Sequence, residues 1–344
     1  MILPSLQTYM VQPNRVTFTL FDDFTMLQMK AFVAIMLNLQ EAIKLDMNNG
    51  DFMQLNIFDK FDQVIKFDLS LKDITKNPTS YRDVKEAISK ISEINVKIPF
   101  KDEKGKGYHI STSLITALIP DVADYKSVIT IKIERSIAEY LVRIPKNKNG
   151  IPEQYTRFIY EVAMNSASVY TIRIYHILSS WKSKGSYRVS YNDFRQQLSI
   201  SPETYTQYSD FKKRVLVPAQ KELIQRADCW FNCELESFKT VGRNADGKKE
   251  YYLNFKIITP EFQEAMQKQR ANIVHLLSTH FAFKDEDLHK ISFILENESI
   301  PTDVITMKII KIHEKVQDSY RTSKPVKDKK AYALQSLVAN DWYV

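Results

Sequence analysis

The sequence predicts an α+β protein made of two tandem winged-helix domains, related by internal duplication, and a helical C-terminal extension. Helix-like segments followed by a β-hairpin occur twice in the same order along the 344 residues. A similar helix opening stands in the same place in each copy, YRDVKEAI at 81–88 and YSDFKKRV at 208–215. A segment rich in Pro, Gly, Asn and Lys at 144–154 separates the copies. The length also exceeds that of one ordinary core.

The first domain is predicted to span residues 1–150. Helices are indicated by good helix formers and by apolar residues on one face, and strands by alternation of apolar and polar residues. The predicted elements are a strand at 16–20, a helix at 25–44, strands at 52–58 and 62–70, a helix at 80–94, a hairpin of 95–100 and 108–116, a strand at 127–133 and a helix at 136–144.

The second domain is predicted over residues 151–259, and the extension over 260–344 with a linker near 321–330. The predicted elements are helices at 155–182, 191–198 and 208–223, strands at 187–190, 229–237 and 250–258, helices within 261–320 and a last helix at 331–342. In the strand at 250–258 the inward face is predicted to hold Tyr251, Leu253, Phe255 and Ile257.

The net charge of +7 is concentrated in one part of the chain. Residues 170–258 hold 15 basic and 9 acidic side chains, a net charge of +6, whereas residues 259–344 hold 12 of each. A local basic excess is the electrostatic footprint of a polyanionic partner. From charge alone, a basic surface that serves only solubility is an equally good explanation.

The helix at 208–223 has two different faces when each residue advances by about 100°. The predicted buried face consists of Phe211, Val215, Ala219 and Leu223. The predicted outer face holds Lys213, Arg214, Val217, Gln220 and Lys221, with Lys212 at its border. Lys, Arg and Gln side chains bind phosphates and the edges of guanine and adenine, so this helix is the candidate DNA reader.

Pro218 interrupts the pattern of this helix. A proline removes one backbone hydrogen bond and is expected to kink a helix. A kinked helix that fits a curved groove and a helix that ends and restarts are both compatible with the sequence.

Two further basic groups are candidate DNA contacts. The loop between the last two strands of the second domain adds Lys239, Arg243, Lys248 and Lys249, which would contact flanking phosphates or the minor groove. The corresponding helix of the first domain offers Arg82 and Lys85 on an outer face of mixed charge. That face fits a protein partner better than DNA, and a merely solvated surface explains it as well.

Several classes of function are disfavoured by what the chain contains. Only seven glycines are present, and no phosphate-binding loop or nucleophile-elbow motif is found. Cys229 and Cys233 lack further ligands for a zinc set, and the six histidines are scattered, with no His-x-His pair for a nicking enzyme. We therefore expect no catalytic residue, no metal and no cofactor. A DNA-nicking enzyme is the weakest alternative.

A resemblance to a known family rests on three segments. The segments TIRIYHILSSW, YRVSYNDFRQQLSI and YSDFKKRVLVPAQKEL, followed by a strand hairpin, resemble the second winged-helix domain of iteron-binding plasmid replication initiators. The similarity is specific over 155–258 and looser over 16–143, and it includes the proline. It implies that Lys212, Lys213, Arg214 and Lys221 read the DNA repeats.

The resemblance also implies activities and partners. They are binding of direct repeats at a plasmid origin as a monomer, repression of its own promoter at an inverted repeat as a homodimer, and recruitment of the host replication initiator and helicase. A winged-helix transcriptional regulator that never initiates replication is the alternative. A cytoplasmic location without a membrane partner is expected, since the start MILPSLQTYMVQPNR has no signal-peptide pattern.

Overall fold

A computed structural model describes most of the chain. The described residues are 7–19, 24–43, 64–101, 106–120, 127–244, 246–295, 300, 302–322 and 325–339. The chain divides into two compact units, the first of Met1–Cys233 with Gly242–Ile257 and the second of Glu234–Val241 with Ile258–Val344.

The first winged helix begins with a short strand and two helices. Its elements are β1 (Tyr9–Pro13), α1 (Asn14–Thr19), α2 (Met26–Ala42), β2 (Val64–Ser70), α3 (Tyr81–Ser92), β3 (Asn95–Lys101), β4 (Gly107–Ser113), β5 (Thr116–Leu118), β6 (Val128–Glu134) and α4 (Arg135–Val142). Strands β2, β6 and β5 form one antiparallel sheet in that order, and β3 pairs with β4 as a hairpin.

Local sequence explains the two long helices of this domain. Helix α2 starts with a capping box in which Thr25 and Gln28 satisfy each other's backbone N–H groups, at 2.9 and 3.3 Å. Helix α3 is amphipathic and buries Val84, Ala87, Ile88 and Ile91. The predicted helices at 25–44 and 80–94 are therefore confirmed.

The chain beyond residue 154 returns to the first strand. Strand β7 (Tyr155–Ile159) pairs antiparallel with β1, with Tyr9 opposite Ile159 and Pro13 opposite Tyr155. Helices α5 (Tyr160–Asn165) and α6 (Val169–Trp181) follow. The pairing of β1 with β7 connects residues that lie before and after the predicted boundary at 144–154. The division of the two domains at residue 150 stays a prediction.

The second winged helix contains the helix of interest. Its elements after α6 are β8 (Ser186–Ser190), α7 (Tyr191–Gln197), α8 (Tyr208–Phe211), a π-helical segment (Lys212–Leu216), α9 (Val217–Arg226), β9 (Lys239–Arg243) and β10 (Lys249–Lys256). The sheet has the order β8, β10, β9, and β8 runs antiparallel to β10. Tyr81 and Tyr208 thus open helices at the same place in both domains, as the duplication predicts.

The C-terminal extension is helical, as predicted. It contains α10 (Pro260–Phe281), α11 (Asp285–Lys290), α12 (Ser292–Leu295), α13 (Thr302–Ser319) and α14 (Lys329–Val338). A buried apolar cluster joins α10, α13 and α14 and includes Leu277, Phe281, Ile309 and Leu337. The buried Asp287 carboxylate accepts a hydrogen bond from Lys330 Nζ at 3.1 Å, which connects α11 to α14.

Three predicted elements are wrong. Residues 14–19 form a helix instead of a strand at 16–20, because so short an alternation does not distinguish the two. Residues 155–159 of the predicted helix at 155–182 are a strand, since pairing with distant β1 overrides local preference. Residues 229–237 form no strand, and Trp230 is buried as well as Cys229 and Phe231, so burial does not follow the alternation that predicted one. The predicted strand at 52–58 lies outside the described residues.

Strand β10 confirms the predicted strand at 250–258, with one exception in its inward face. Leu253, Phe255 and Ile257 are buried, whereas Tyr251 is 47% exposed. Tyr251 lies near the loop end of the hairpin, where burial depends on the neighbouring strand and cannot be deduced from alternation.

Helix α6 is buried nearly all round and carries a histidine in its centre. His176 is fully buried, and its ring centroid lies 4.1 Å from that of Phe158 on β7. Burial, assisted by the nearby charge of Arg173, lowers the pKa of His176 from 6.5 to about 3. The folded protein therefore holds this histidine in its neutral form.

This buried histidine should make stability fall as the pH falls below 6.5. In the unfolded chain His176 binds a proton below pH 6.5, whereas in the folded chain it stays neutral down to about pH 3. The free energy of unfolding should therefore fall by about 2 kcal/mol between pH 6.5 and 5. A His176→Leu variant should lose this part of the pH dependence. Urea unfolding followed by the fluorescence of Trp181 and Trp230 measures it. The exposed His109→Leu is the control, and equal slopes for His176→Leu and wild type would contradict the prediction.

Candidate nucleic-acid interface

The predicted DNA-reading helix is continuous from Tyr208 to Arg226 and contains one wide turn. Residues 212–216 are π-helical, and the N–H of Val217 donates to the carbonyl of Lys212, five residues earlier. Pro218 follows at once, within the first turn of α9. In a regular α-helix its ring would clash with the carbonyl of Arg214. The wide turn thus lets the helix pass through the proline without ending.

The inner face of this helix is fixed by aromatic packing. The predicted buried residues Phe211, Val215, Ala219 and Leu223 are all buried, together with Leu216. The Phe211 ring packs edge-on against Tyr191 and Phe194 of α7, with centroid distances of 5.3 and 6.3 Å. These contacts set which residues of the helix point outward.

The outer face carries the basic residues that the sequence predicts. Lys213 and Arg214 are exposed within the wide turn, and Lys221 is exposed two turns later on α9. Lys212 is half-buried at the border, as its helical position predicts. The helix therefore exposes Lys213, Arg214 and Lys221 on its outer side, whereas Lys212 lies at the border of the buried face.

Gln220 has a structural contact that the sequence does not reveal. Its side-chain oxygen accepts a hydrogen bond of 2.7 Å from the backbone N–H of Cys233, and the side chain is half-buried. This bond holds the segment that leads away from α9 toward the last strands. A role of Gln220 in reading bases stays a prediction.

The other flank of α9 is held by the turn before α6. Glu222 Oε1 accepts a hydrogen bond of 2.9 Å from the N–H of Ala167, and Arg226 Nη1 donates to the carbonyl of Asn165 at 2.8 Å. Glu222 and Arg226 thus both bind backbone groups outside α9. These two hydrogen bonds fix the rotation of the helix about its axis.

A partly buried network fixes the end of the helix. The Tyr175 hydroxyl donates to Asp228 Oδ1 at 2.7 Å and accepts from the N–H of Ile159 at 2.9 Å. Lys182 Nζ donates to Asp228 Oδ2 at 2.6 Å. Burial of Lys182 lowers its pKa, but the neighbouring charge of Asp228 outweighs this effect, and the pKa of Lys182 is raised. Burial raises the pKa of Tyr175 well above its usual value. The network therefore connects β7 and α6 to the chain just after α9.

The tip of the second-domain hairpin is a tight turn that presents cations. Asn244 Oδ1 accepts hydrogen bonds from the N–H groups of Asp246 and Lys248 at 3.1 and 2.9 Å. Gly247 adopts a φ of 75°, which other residues rarely adopt. The predicted contacts Arg243, Lys248 and Lys249 are exposed around this turn, and Lys239 begins β9 half-buried in the second compact unit.

A stacked pair beside the hairpin was not predicted from the sequence. Arg188 of β8 lies over the ring of Tyr252 of β10, 4.6 Å from its centroid. A Cβ on Gly242 would lie 2.6 Å from that ring, so only glycine allows the close approach. The exposed Arg188 is therefore a further candidate phosphate contact. The alternation of side chains along β8 predicts that Arg188 lies on the exposed face. Its stacking on Tyr252 depends on β10, which is distant in sequence.

The first-domain candidates differ from those of the second domain. Arg82 is exposed near the start of α3, whereas Lys85 is half-buried and its Nζ donates to the carbonyl of Pro120 at 3.4 Å. Glu86 and Lys90 form an exposed ion pair of 2.8 Å on the same helix. The mixed charge predicted for this face is confirmed, and its role in DNA binding stays a prediction.

Other kinds of site receive no support from the part of the chain that the structure describes. The described residues contain no cluster of three or more His, Cys, Asp or Glu side chains that could hold a metal ion. Cys229 and Cys233 are buried thiols, and burial raises the pKa of Cys229 to about 12. Among the described helices, none is both long and apolar enough to cross a membrane.

Comparison with known proteins agrees with this geometry. Residues 9–179 match the family described as initiator replication protein, WH1, and residues 190–257 match initiator Rep protein, WH2. The first match extends past residue 150 and includes β7 and most of α6. A search of curated proteins found no match.

The two matched regions define a protein with tandem winged-helix domains of the DNA-binding type. Together they cover more than half of the chain, and the chain belongs to the family of plasmid replication initiator Rep proteins. The resemblance stated from sequence is thereby confirmed, and the family is one of DNA-binding initiators. The helical extension after residue 257 lies beyond both matches.

Replacing the proline should change DNA binding more than stability. In Pro218→Ala the new N–H can donate to Arg214, so the wide turn can close to a regular α-helix. Because Phe211 and Val215 are held in the core, the closing turn would move Lys213 and Arg214 relative to Lys221 without rotating the buried face. We expect affinity for DNA upstream of the gene to fall by roughly tenfold or more, the cost of one misplaced polar contact.

Fluorescence anisotropy with labelled DNA measures this loss, and circular dichroism shows whether the helix content is kept. Pro202→Ala, in the exposed turn before α8, is the matched control. A Pro218→Ala variant that binds as tightly as wild type would show that the wide turn does not place the basic residues.

Proposed function

We propose that this plasmid replication initiator acts by binding short direct repeats, iterons, at the replication origin through the helix of residues 208–226. The observation that carries the proposal is the exposure of Lys213, Arg214 and Lys221 along one side of a helix whose inner face and both flanks are fixed. A rigid helix presents its cations in one geometry, which favours recognition of a defined site.

The hairpin supports the same proposal. Arg243, Lys248 and Lys249 would bind phosphates beside the major groove that the helix enters, and Arg188 would bind the backbone next to them. Phosphate contacts of this kind orient a helix but do not identify bases, so the helix carries the sequence preference. No covalent chemistry is required of the chain in this role.

Removing the two cations of the wide turn should abolish binding to the repeats. In Lys213→Ala with Arg214→Ala we expect loss of the nuclease footprint on short direct repeats near the gene. For wild type, the logarithm of the binding constant should fall steeply with the logarithm of salt concentration, and the slope should decrease by about one for each phosphate contact removed.

Lys311→Ala with Lys315→Ala is the control of equal charge change, because both side chains are exposed on helix α13. The control should keep the footprint, and thermal unfolding should show that both variants are folded. An unchanged footprint for the Lys213 and Arg214 variant would exclude the proposed role of the helix.

We propose further that the first domain forms a homodimer that represses the gene's own promoter at an inverted repeat, and that DNA-bound monomers recruit the host replication initiator and helicase. The mixed charges of α3, with Arg82, Glu86 and Lys90 exposed, fit a protein surface better than a DNA phosphate. Residues 1–150 also hold nearly equal numbers of basic and acidic side chains, 20 and 18.

Dimer formation predicts that the sedimentation coefficient of the full chain rises with protein concentration in the absence of DNA. Addition of a duplex with one direct repeat should shift the equilibrium toward monomers bound to DNA. Analytical ultracentrifugation with labelled DNA separates the species, and monomers alone at high protein concentration would count against the dimer.

A further inference from the structure

Two apolar side chains flank a lysine on the outward side of α9. Val217 is half-buried and Ile224 is 49% exposed, and Lys221 lies between them. Their spacing of four and then three residues places all three on one stripe of the helix. Since each residue advances by about 100°, Lys221 lies about 40° to one side of Val217 and Ile224 about 20° to the other.

The stripe is the part of the helix that faces away from the described contacts of α9. Ala219 and Leu223 enter the core on the opposite side. The flanks are occupied by Gln220, which contacts Cys233, and by Glu222, which contacts Ala167. The described hydrogen bonds of α9 are thus made by its flanks. One exposed apolar residue alone would need no explanation, but two apolar side chains flank a lysine on this stripe.

The surroundings of this stripe indicate what it contacts. Lys213 and Arg214 precede it on the exposed side and Lys221 lies within it, so the proposed partner is DNA. In the major groove, thymine presents an oxygen acceptor and a C5-methyl group, and it is the only one of the four standard bases with such a methyl. Apolar side chains among cations on a helix in this groove are therefore suited to contact thymine methyls.

We propose that Val217 and Ile224 contact the C5-methyl groups of thymines in the repeat and so determine its sequence, while Lys221 between them supplies the charged contact. This inference rests on the proposed function of the helix. The seven steps from Val217 to Ile224 rise by about 10 Å along the helix. With about 3.4 Å for each base pair, a helix along the groove reads two thymines about three base pairs apart.

Deoxyuridine tests the inference because it pairs as thymine does and lacks only the methyl group. The probe is a synthetic duplex with one footprinted repeat, made with thymine and then with deoxyuridine at each thymine in turn. For the full-length wild-type chain we expect two positions at which the substitution weakens binding, by roughly fourfold each, as for one buried methyl group.

Variants identify which side chain meets which methyl. Val217→Ala should bind the thymine duplex more weakly and become insensitive to deoxyuridine at one position, and Ile224→Ala at the other. Ile310→Ala, whose side chain is 48% exposed on α13, is the matched control and should keep the wild-type response at both positions. The two substituted side chains lie outside the core, so circular dichroism should be unchanged.

The possible outcomes separate the inference from the proposed function. A wild-type chain that binds the repeat equally well at every deoxyuridine position would overturn the inference alone, as would variants that keep the full response. Absence of any footprint on DNA around the gene would overturn both the helix role and the inference. Loss of the response in Val217→Ala and Ile224→Ala, with the control unchanged, establishes thymine-methyl readout.

Discussion

Pro218 has no backbone hydrogen to donate, and the geometry of the candidate interface depends on how the helix accommodates it. A regular helix would leave the carbonyl of Arg214 without its donor and press it against the proline ring. In the wide turn at residues 212–216 the N–H of Val217 instead donates to the carbonyl of Lys212, five residues earlier, and the helix continues through the proline. Because the turn contains Lys213 and Arg214, the same adjustment sets the direction of two of the cations. π-Helical turns are frequent at functional sites, and here the cause is a single residue.

The outward face is useful only because the rest of the helix is held firmly. Aromatic packing of Phe211, the contact of Gln220 with Cys233 and the contact of Glu222 with Ala167 each limit rotation about the helix axis. The Asp228 network adds a fixed end point, since its carboxylate binds both Tyr175 and Lys182. Affinity for phosphate requires only charge, whereas a preference for particular bases requires side chains held in place.

Much of the fold and of the basic helix could be predicted from the sequence, and the failures share a physical cause. A run of good helix formers without Gly or Pro predicts α2, and helical periodicity predicts α3 and the inner face of residues 208–223, because local sequence is sufficient in each case. Residues 155–159 are predicted as helix but form strand β7, because the partner β1 is some 140 residues away, beyond any local pattern. The contact of Gln220 and the stack of Arg188 on Tyr252 depend on tertiary neighbours in the same way.

The pairing of β1 with β7 also bears on how the chain is made. Residues 9–13 leave the ribosome long before residues 155–159, so β1 has no partner until some 140 further residues have been synthesised. At about 5–20 residues per second this interval lasts roughly 7 to 30 seconds. During that time Met10 and Val11, which are buried in the folded protein, lie on a strand whose edge has no partner. The pairing of β1 with β7 therefore makes the start of this domain depend on chain that is synthesised only after the domain's other helices and strands.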